Sequence, residues 1–402
     1  MQKALIHIGG SFLQLPSLRL AKELGLYLVL TDRNPRALGA AIADRFEVLD
    51  GEDVTGLLAL AHEVAQEFDL VGAYVCNDFG LKAVATIAET FGLPGCSLSA
   101  VQKALDKSTA RQIWSENGLP VPQGAAVCSL YEAQAVAGDL GLPIIVKPID
   151  SSGSRGVRSV WDKPELVQAY EEAHAISDTV LVEALVTGRH VDVNGLFLDD
   201  QFLGCGMWER FFSPPPFHYP IWGYQPASLQ AAQEASIYEL VERASRILSI
   251  NAGPVKADLI LGEDGLTLIE LSPRFHGDVG TSYVTPLATG SYPAKAYFAY
   301  LIGDNNAHSY LKHSKSSVAG WRALFPEVGG RLKDIKGIEL AKSLPGVYDV
   351  FVRVSGGTSI MGAHQDNTTV AGFVWAESHD IEHLRDVLET AASRIRFIVE
   401  VP

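Results

Sequence analysis

The chain has 402 residues, of which 47% are hydrophobic and 20% charged, which is the balance of a folded protein of two to four domains and excludes a disordered one. Its 47 Asp and Glu residues outnumber its 32 Lys and Arg residues, and the resulting net charge of −15 repels the phosphate backbone of nucleic acid. We therefore expect no nucleic-acid partner, and an anionic small molecule would need a locally basic pocket.

The first hundred residues alternate strand and helix patterns. The expected elements are a strand at 4–8, the turn Gly9-Gly10, a helix at 15–25, a strand at 27–30 leading to Thr31-Asp32, a strand near 71–76 and a helix after it. This alternation predicts a small parallel sheet.

The N-terminus and the cysteines indicate the compartment. The first apolar run stops after five residues at two glycines, which is typical of a strand and not of a signal peptide, and no apolar run approaches membrane-spanning length. The four cysteines form no C-x-x-C pair. We expect a cytoplasmic protein that has no membrane partner, no disulfide framework and no zinc site.

The rest of the chain predicts three further units. Helical sequence runs from Leu98 to Asn117. After it we expect strands at 144–147, 157–160 and 181–183 with a helix at 164–175, then the strand VDVNGLFL, a long loop, a helix at 228–249, the hairpin VKADLILGEDGLTLIEL, the strand YDVFVRV and a last helix near 380–394. The predicted domains are 1–105, 106–186, 187–308 and 309–402.

The hairpin at 255–272 brings two carboxylates together. With Glu263-Asp264-Gly265 as a three-residue loop, Asp258 falls directly opposite Glu270. Like charges in this position cost roughly 0.2–1 kcal/mol when exposed, and more when buried unless a cation compensates. Mg²⁺ takes one or two carboxylates together with phosphate oxygens, so the pair predicts a Mg²⁺ site. The alternative is that one carboxylate faces solvent on an edge strand.

A lysine and a glycine loop predict an anion site. The segment GLPIIVKP puts Lys147 at the end of an apolar strand, and SSGSRGV (151–157) follows with three serines and two glycines. Their N–H groups and hydroxyls can fold over phosphates as a flap, although the G-K-[ST] signature of a Walker loop is missing. Arg274, just beyond the hairpin, either stabilises an anionic intermediate or forms a structural salt bridge.

These segments, in this order, resemble the ATP-grasp superfamily over about residues 1–305. The similar segments are DKSTARQIWSENGLPVP, LPIIVKPIDSSGSRGV, LVEALVTGRHVDVNGLF and VKADLILGEDGLTLIELSPRF. The resemblance implies an α/β and α+β multidomain protein, with a Rossmann-like N-terminal domain, a two-lobed ATP-grasp fold and a C-terminal α+β unit. It also implies ATP and Mg²⁺, or Mn²⁺, as cofactors.

The resemblance assigns a role to each candidate site residue. Asp258, Glu270 and Ser272 would bind Mg²⁺, and Lys147 and Arg274 would act on the reacting groups. Glu183 would take the adenine amino group or the ribose, and Ile260 would pack on the ring. The full set expected to contact the nucleotide is Lys107, Lys147, Ser151, Ser152, Gly153, Ser154, Gly156, Glu183, Ala184, Leu185, Val186, His190 and Ile260.

Three positions depart from the family pattern. Asp258 stands where Glu is usual, and Ser272 stands where Asn is usual. His190 lies where many members carry an acidic residue, so it is either a ribose contact or a surface histidine.

A dinucleotide-binding fold is the rival interpretation of the N-terminal domain. Gly9-Gly10 follows a strand and Asp32 ends the next one, as in that fold. The G-x-G-x-x-G spacing is missing because position 14 is Gln, and this argues against nicotinamide binding.

The aromatic segment MWERFFSPPPFHYPIWGYQP (207–226) either packs on the last domain or lines an acceptor pocket. Its candidate substrate contacts are Glu209, Arg210, His218 and Trp222. His276 and Asp278 continue from Arg274 and either border the same pocket or form a polar hairpin end.

The resemblance is to the carboxylate–amine ligase branch, which includes L-amino-acid ligases. It implies that a carboxylate, activated by ATP as an acyl phosphate, is joined to an amine that is an amino acid in related enzymes, in a protein that is a homodimer in much of the family. A bicarbonate-activating carboxylase or carbamoyl-phosphate-type enzyme is one alternative. A non-catalytic ATP-binding regulator is another.

Overall fold

The computed structural model of the chain describes residues 1–277 and 279–400. Helices and four sheets of four, eight, three and four strands make up these residues, so the expected mixed α/β multidomain fold is confirmed. Within the same residues, no helix combines the length and the apolar character needed to cross a membrane.

The N-terminal domain is built on a four-stranded parallel sheet in the order β3-β2-β1-β4. The strands are β1 (Lys3–Ile8), β2 (Tyr27–Thr31), β3 (Arg45–Glu47) and β4 (Asp69–Val75), and the helices are α1 (Leu15–Glu23), α2 (Val54–Glu67) and α3 (Leu81–Phe91). The sequence prediction missed β3, which is too short to show a pattern, and α2. The strand order reverses between β1 and β4, and ligands bind at the carboxyl ends of parallel strands at such a reversal.

Two helices lead out of this domain. The helical stretch predicted at 98–117 is divided into α4 (Leu98–Leu105) and α5 (Lys107–Glu116) by Asp106, which has extended backbone angles. The Asp106 carboxylate accepts hydrogen bonds from the N–H groups of Ser108 and Thr109, at 2.9 and 3.0 Å. This N-cap starts α5 with Lys107 at its first position.

The small lobe is a four-stranded antiparallel sheet in the order β5-β8-β6-β7, packed against two helices. Its elements are β5 (Gly124–Val127), α6 (Leu130–Leu140), β6 (Ile144–Pro148), β7 (Arg158–Val160), α7 (Lys163–His174) and β8 (Val180–Ala184). Lys147 lies near the end of β6, and the predicted flap connects β6 to β7.

The large sheet has eight strands in the order β13-β12-β9-β10-β11-β14-β18-β16. A separate three-stranded sheet has the order β17-β15-β19. The strands are β9 (Arg189–Leu198), β10 (Gln201–Phe212), β11 (Pro220–Gln225), β12 (Gly253–Gly262), β13 (Gly265–Ser272), β14 (Val318–Leu324), β15 (Gly330–Lys336), β16 (Val347–Val352), β17 (Ser359–Ile360), β18 (Gly372–Ser378) and β19 (Arg396–Glu400). The helices are α8 (Ala231–Ile247), α9 (Thr285–Thr289), α10 (Pro293–Leu301), α11 (Ile338–Lys342) and α12 (Ile381–Arg394).

Two expectations about this half of the chain were wrong. The long loop expected before α8 is mostly strand, because β10 and β11 pair with each other through the aromatic segment. The boundary expected at 308/309 is not an architectural one, because β14 pairs with β11 and continues the same sheet. The C-terminal part of the chain is therefore joined to the large sheet by main-chain hydrogen bonds.

Trp114 anchors helix α5 to helix α8 and to the large sheet. Its side chain on α5 is 2% exposed and lies in a core cluster with Val241 and Ala244 of α8 and with Leu268 of β13. The indole N–H donates to the carbonyl of Ala244 at 3.1 Å. This packing fixes α5, and with it Lys107 and Arg111, beside the hairpin β12–β13.

Candidate active site

A single cavity of about 1020 Å³ lies where the N-terminal domain, the two lobes and the C-terminal strands meet. The strand ends of the parallel sheet, the flap, the segment after β8 and the hairpin β12–β13 all contribute to its wall. The predicted site residues that line it are Lys107, Lys147, Ser151, Ser152, Gly153, Ser154, Glu183, Ala184, Leu185, Val186, His190, Arg210, His218, Asp258, Ile260, Glu270, Arg274 and His276. Large concave pockets of this kind are the usual location of binding sites.

Asp258 and Glu270 are paired directly across β12 and β13, as predicted, but by a different route. The turn has two residues, Glu263 and Asp264, since Gly262 pairs with Gly265, which would leave Asp258 opposite Ile269. A bulge at Ile269 shifts the register by one residue and restores the pairing with Glu270.

Arg111 holds this bulge in place. Its guanidinium donates to the carbonyl oxygens of Leu268 and Ile269, at 2.7 and 2.9 Å. The same guanidinium donates to Glu183 at 2.5 Å. The register of the carboxylate pair therefore depends on a residue of α5 for which the sequence carried no recognisable signal.

Cationic side chains surround the carboxylate pair. The ammonium group of Lys256 lies 2.9 Å from Asp258 Oδ2 and 3.6 Å from Glu270 Oε1, and that of Lys107 lies 3.9 Å from Glu270 Oε2. Burial by itself would raise the pKa of Asp258, but the charges of Lys256 and its other neighbours hold it well below the ordinary value. Burial likewise opposes, and Lys107 and Lys256 produce, a lowered pKa of Glu270. Both carboxylates are therefore ionised and able to bind a metal ion.

The donor set fits a Mg²⁺ ion. Two carboxylates face each other on the cavity wall, which is the kind of protein contribution that Mg²⁺ uses beside phosphate oxygens. Oδ1 of Asp258 is buried and accepts no hydrogen bond in the described part of the chain. Ser272, the third expected ligand, does not line the cavity, and its hydroxyl donates to Asp78 at 3.1 Å.

A third carboxylate, that of Asp192, lies beside this pair on the neighbouring strand β9. Asp192 on β9 pairs directly with Asp258 and is 2% exposed. It forms an ion pair with Arg210, and its Oδ2 lies 2.8 Å from His276 Nε2. Asp192, Asp258 and His276 could together hold a metal ion by the spacing of their ligand atoms. Sequence analysis missed Asp192, although it and Asn194 are polar residues at alternate positions of an otherwise apolar strand.

Glu183 has different partners from those expected. Its carboxylate is fully buried and accepts from Arg111, and Lys147 Nζ lies 2.6 Å from its second oxygen. Burial opposes ionisation, but Lys147 and Arg111 together lower the pKa of Glu183. Both oxygens are engaged, so the geometry gives Glu183 the role of orienting Lys147 and leaves none for an adenine or ribose contact.

The segment after β8, residues 184–186, can still contact the adenine base of a nucleotide. The N–H groups of Ala184 and Leu185 donate to the carbonyls of Gln123 and Pro143, at 2.8 and 3.2 Å. Within the described residues, the N–H of Val186 has no such partner, which leaves it for a ligand. Ile260 is paired with His190 across the adjoining strands, and both line the cavity. Burial lowers the pKa of His190.

The flap is folded over the cavity and fastened on two sides. Gly153 and Ser154 both have left-handed backbone angles, with φ of 70° and 62°. The carbonyl of Gly153 accepts from the N–H of Asn367 at 3.0 Å, and the Ser154 hydroxyl donates to the carbonyl of His218 at 2.6 Å. Lys107 donates to the carbonyl of Ser151 at 2.7 Å. Gly156, also expected at the phosphates, does not line the cavity.

The predicted substrate residues are divided between two faces of the large sheet. Arg210, His218 and His276 line the cavity, whereas Glu209 and Trp222 lie on the opposite face, so that these two assignments were wrong. Side chains alternate along a strand, and Glu209 is one position from Arg210. Glu209 instead accepts from Arg189 at 2.8 and 2.6 Å and from the Tyr224 hydroxyl at 2.7 Å.

Trp222 stacks on Phe211, with ring centroids 4.3 Å apart. Asp278, the other expected substrate residue, lies outside the described residues.

Asp78, at the carboxyl end of β4, joins the N-terminal domain to the reaction centre. Its two oxygens accept from Arg274 Nε and Nη2, at 2.7 and 2.8 Å. Asp32, the residue that suggested a dinucleotide fold, is engaged differently. Its carboxylate accepts the N–H groups of Gly10 and Asn34, at 2.7 and 2.8 Å, which leaves it poorly placed for a ribose.

Comparisons with known proteins identify the family of the chain. A family described as "D-ala D-ala ligase C-terminus" matches residues 113–273, and one described as "L-amino acid ligase C-terminal domain 2" matches residues 322–400. A D-alanine–D-alanine ligase of Stutzerimonas stutzeri (strain A1501) is 30% identical over 240 residues, which are 57% of this chain and 73% of that protein.

Two further proteins match nearly the whole chain. An uncharacterized protein, y4rH, of Sinorhizobium fredii (strain NBRC 101917 / NGR234) is 29% identical over 380 residues, or 90% of this chain and 76% of that one. The crystal structure of an L-amino acid ligase from Bacillus licheniformis superposes over 100% of both chains with a TM-score of 0.83 at 21% identity. The latter is a likeness of fold.

Proposed function

The chain belongs to the ATP-grasp family of carboxylate–amine ligases, and from this premise we propose that it binds Mg-ATP between its two lobes and joins two amino-acid-like substrates. The observation that carries the proposal is the ionised pair Asp258 and Glu270 in the cavity, with Lys107 and Lys256 beside it. Among the described residues, Oδ1 of Asp258 accepts no hydrogen bond, and His276 Nε2 lies 3.7 Å from it. Lys256 and Lys107 keep both carboxylates ionised, and two ionised carboxylates on a cavity wall are the protein ligands that Mg²⁺ takes beside phosphate oxygens.

We infer the position of the nucleotide from the groups on the cavity wall that can still contact it. The adenine edge would meet the N–H of Val186, with the ring against Ile260, and His190 at the ribose. The phosphates would lie under the flap residues Ser151 to Ser154, where N–H groups and hydroxyls surround an anion. Lys107 and Lys147 would neutralise the phosphate charge.

Asp258 and Glu270 would hold Mg²⁺, or Mn²⁺ in its place, and such an ion would supply charge neutralisation for the triphosphate. Ser272 would act through Asp78 and not as a direct ligand. Asp78 keeps the guanidinium of Arg274 fixed beside the hairpin, and Nη1 of Arg274 donates to the carbonyl of Phe275 at 3.1 Å. The remaining N–H donors of Arg274 would bind the reacting carboxylate.

The chemistry proceeds in two displacements. A carboxylate oxygen of the first substrate attacks the γ-phosphorus of ATP, and ADP leaves, giving an acyl phosphate. The amine nitrogen of the second substrate then attacks the acyl carbon, inorganic phosphate leaves, and the amine loses a proton as the amide forms. Lys147 and Arg274 stabilise the negative charge in both displacements. The flap, fastened by Asn367 and His218, excludes water that would hydrolyse the acyl phosphate.

The relatives support amino-acid-like substrates, since one is a D-alanine–D-alanine ligase and a structural neighbour is an L-amino acid ligase. The decisive experiment is a phosphate-release assay with MgATP and all pairs of the L- and D-amino acids, with bicarbonate as a control. Phosphate release that requires both a carboxylate and an amine, together with a new amide product, is the expected result. Stimulation by bicarbonate alone would indicate a carboxylase, and ATP binding without turnover would indicate a regulator. A homodimer remains a prediction that sedimentation can test.

A further inference from the structure

One region of the cavity is used neither by the proposed nucleotide site nor by the carboxylate pair. It lies at the carboxyl ends of the parallel strands and extends to the end of β16. We propose that this region, called here the arginine end of the cavity, binds a second anionic group of one substrate, a carboxylate or a phosphate, through Arg36 and Arg353. The inference rests on the proposed ligase function and specifies the substrate class for it.

The backbone that carries Arg36 is fixed before any ligand binds. The Asp32 carboxylate accepts the N–H of Gly10 and the N–H of Asn34, and the Asn34 side chain accepts the N–H of Arg36 at 3.0 Å. These consecutive turns tie the loop after β2 to the glycine turn after β1. A loop that is already ordered loses less conformational entropy when a ligand binds.

Neither arginine is neutralised by the protein. Within the described residues, Arg36 forms no ion pair, and the only hydrogen bond of the Arg353 guanidinium goes to the carbonyl of Asn367, at 3.5 Å. Arg33, on the same loop, has Asp50 at 4.0 Å as its nearest carboxylate. In a chain of net charge −15, two guanidinium groups without carboxylate partners on a cavity wall keep their affinity for an incoming anion. Guanidinium binds carboxylate and phosphate oxygens in a two-point geometry.

The segments that carry Arg36 and Arg353 both contact the turn at 9–12, although the two arginines are more than three hundred residues apart in sequence. Gly10 holds the loop of Arg36, as described above. Phe12 stacks on Phe351, with centroids 3.7 Å apart and planes at 2°. Phe351 lies two residues before Arg353 at the end of β16. The turn at 9–12 therefore contacts both the loop that carries Arg36 and the strand that leads to Arg353, and both arginines line the same cavity.

An apolar surface separates these arginines from the reaction centre. Leu38 and Phe79 are 56% and 50% exposed and line the cavity. Phe79 directly follows Asp78, which holds Arg274, so the apolar surface adjoins the reacting groups. Exposed apolar side chains on a cavity wall favour a ligand that covers them. The matching substrate has its reacting group at one end, an apolar middle and an anion at the other end.

The test compares anionic substrates with neutral analogues of similar shape. The full-length protein is assayed with MgATP on L-glutamate against L-glutamine and on O-phospho-L-serine against L-serine, each with a panel of amino-acid partners. We expect kcat/KM to be roughly tenfold or more higher for the anionic member of at least one pair, since a charge-assisted hydrogen bond is worth about a factor of ten. The glutamate arm and the phosphoserine arm distinguish a carboxylate from a phosphate.

Substitution then identifies the residues. Arg36→Gln and Arg353→Gln should each reduce the anionic-over-neutral preference roughly tenfold, mostly through KM, because a contact remote from the reaction is equally strong in the ground and transition states. Arg385→Gln, an exposed arginine on α12 outside the cavity, is the matched control and should keep the preference. Equal rates for both members of every pair in the wild type would overturn the inference, as would an unchanged preference in both variants.

Failure of the ligase function gives a different result. If no pair releases phosphate, the proposed function is wrong, and the arginine end is then tested by calorimetric titration of the wild type and Arg36→Gln with the same two pairs, L-glutamate against L-glutamine and O-phospho-L-serine against L-serine. Binding of an anionic member that weakens in Arg36→Gln supports the site. Equal binding of both members in each pair, or binding of none of the four, overturns it.

Discussion

Asp78 and Arg274 form a two-point ion pair across the boundary between the N-terminal domain and the large sheet, with N–O distances of 2.7 and 2.8 Å. Both side chains are largely buried. Burial by itself would raise the pKa of Asp78, but the charge and hydrogen bonds of Arg274 lower it far below the ordinary value. The pair therefore joins two domains and fixes the orientation of Arg274 beside Glu270.

Asp78→Asn keeps the shape of the side chain but removes the negative charge that faces Arg274. We expect the free energy of unfolding to fall by about 3–5 kcal/mol, because a buried guanidinium loses its counter-charge. Urea unfolding followed by circular dichroism measures this change. Glu63→Gln, which removes an exposed ion pair with Arg45 in the same domain, is the control and should cost at most about 1 kcal/mol. A similar small cost for both variants would contradict the coupling role.

The same pair predicts how stability depends on pH. The pKa of Asp78 is lower in the folded state than in the unfolded state, so its contribution is complete above the unfolded value of about 3.9 and is lost as pH falls toward the folded value. The difference in unfolding free energy between wild type and Asp78→Asn should therefore be constant near neutral pH and decrease below about pH 4. Denaturation at pH 7, 5 and 3 measures it. A constant difference down to pH 3 would refute the assignment.

Glu270→Gln should abolish turnover and leave the fold intact. The amide would remove one of the two charges of the proposed Mg²⁺ site, and Asp258 alone would bind the ion weakly. We expect phosphate release to fall by at least about a thousandfold, since the charge at the triphosphate is then poorly neutralised. Glu263→Gln, an exposed carboxylate in the turn of the same hairpin, is the control. Normal activity of Glu270→Gln would exclude the metal assignment.

Lys147→Ala should raise the ATP requirement strongly. The substitution would remove the proposed phosphate contact, and it leaves Glu183 paired with Arg111 alone among the described residues. We expect KM for ATP to rise by roughly tenfold to a hundredfold, and the unfolding free energy to fall by about 3 kcal/mol because a buried ion pair is broken. Steady-state kinetics and thermal unfolding measure the two effects. Lys163→Ala, exposed at the start of α7, should change neither, and an unchanged KM in Lys147→Ala would remove Lys147 from the nucleotide site.

Gly153→Ala should loosen the flap without a steric clash. The added Cβ would meet only Asn367, at 3.5 Å, but φ of 70° is strained for alanine by about 1–2 kcal/mol. We expect the closed flap to be less populated, so that more phosphate is released than amide is formed. The ratio of phosphate to amide product measures this leak. Gly138→Ala in the last turn of α6, where nothing lies within 4 Å, is the control, and an unchanged ratio in Gly153→Ala would contradict the role of the flap.

The hairpin β12–β13 shows which features of the fold the sequence could predict and which it could not. The alternation of apolar and acidic residues identified both strands and the opposition of Asp258 and Glu270, because side chains on strands repeat every two residues. The turn length and the bulge were both wrong in the prediction, and the two errors cancelled. A bulge leaves no periodic pattern of its own, and the residue that fixes this one, Arg111, lies more than 150 positions away.

Local pattern, then, determined the parallel sheet, the lysine strand, the flap and the carboxylate pair, since each depends on residues close together in the chain. Tertiary structure alone decided that Glu183 orients Lys147, that Glu209 and Trp222 face away from the cavity, and that Asp78 and Asp192 belong to the site. The reason is that a buried charge interacts with the opposite charges that lie near it in the folded chain, whatever their separation in sequence. The energy of such a pair also depends on its burial, to which several domains contribute.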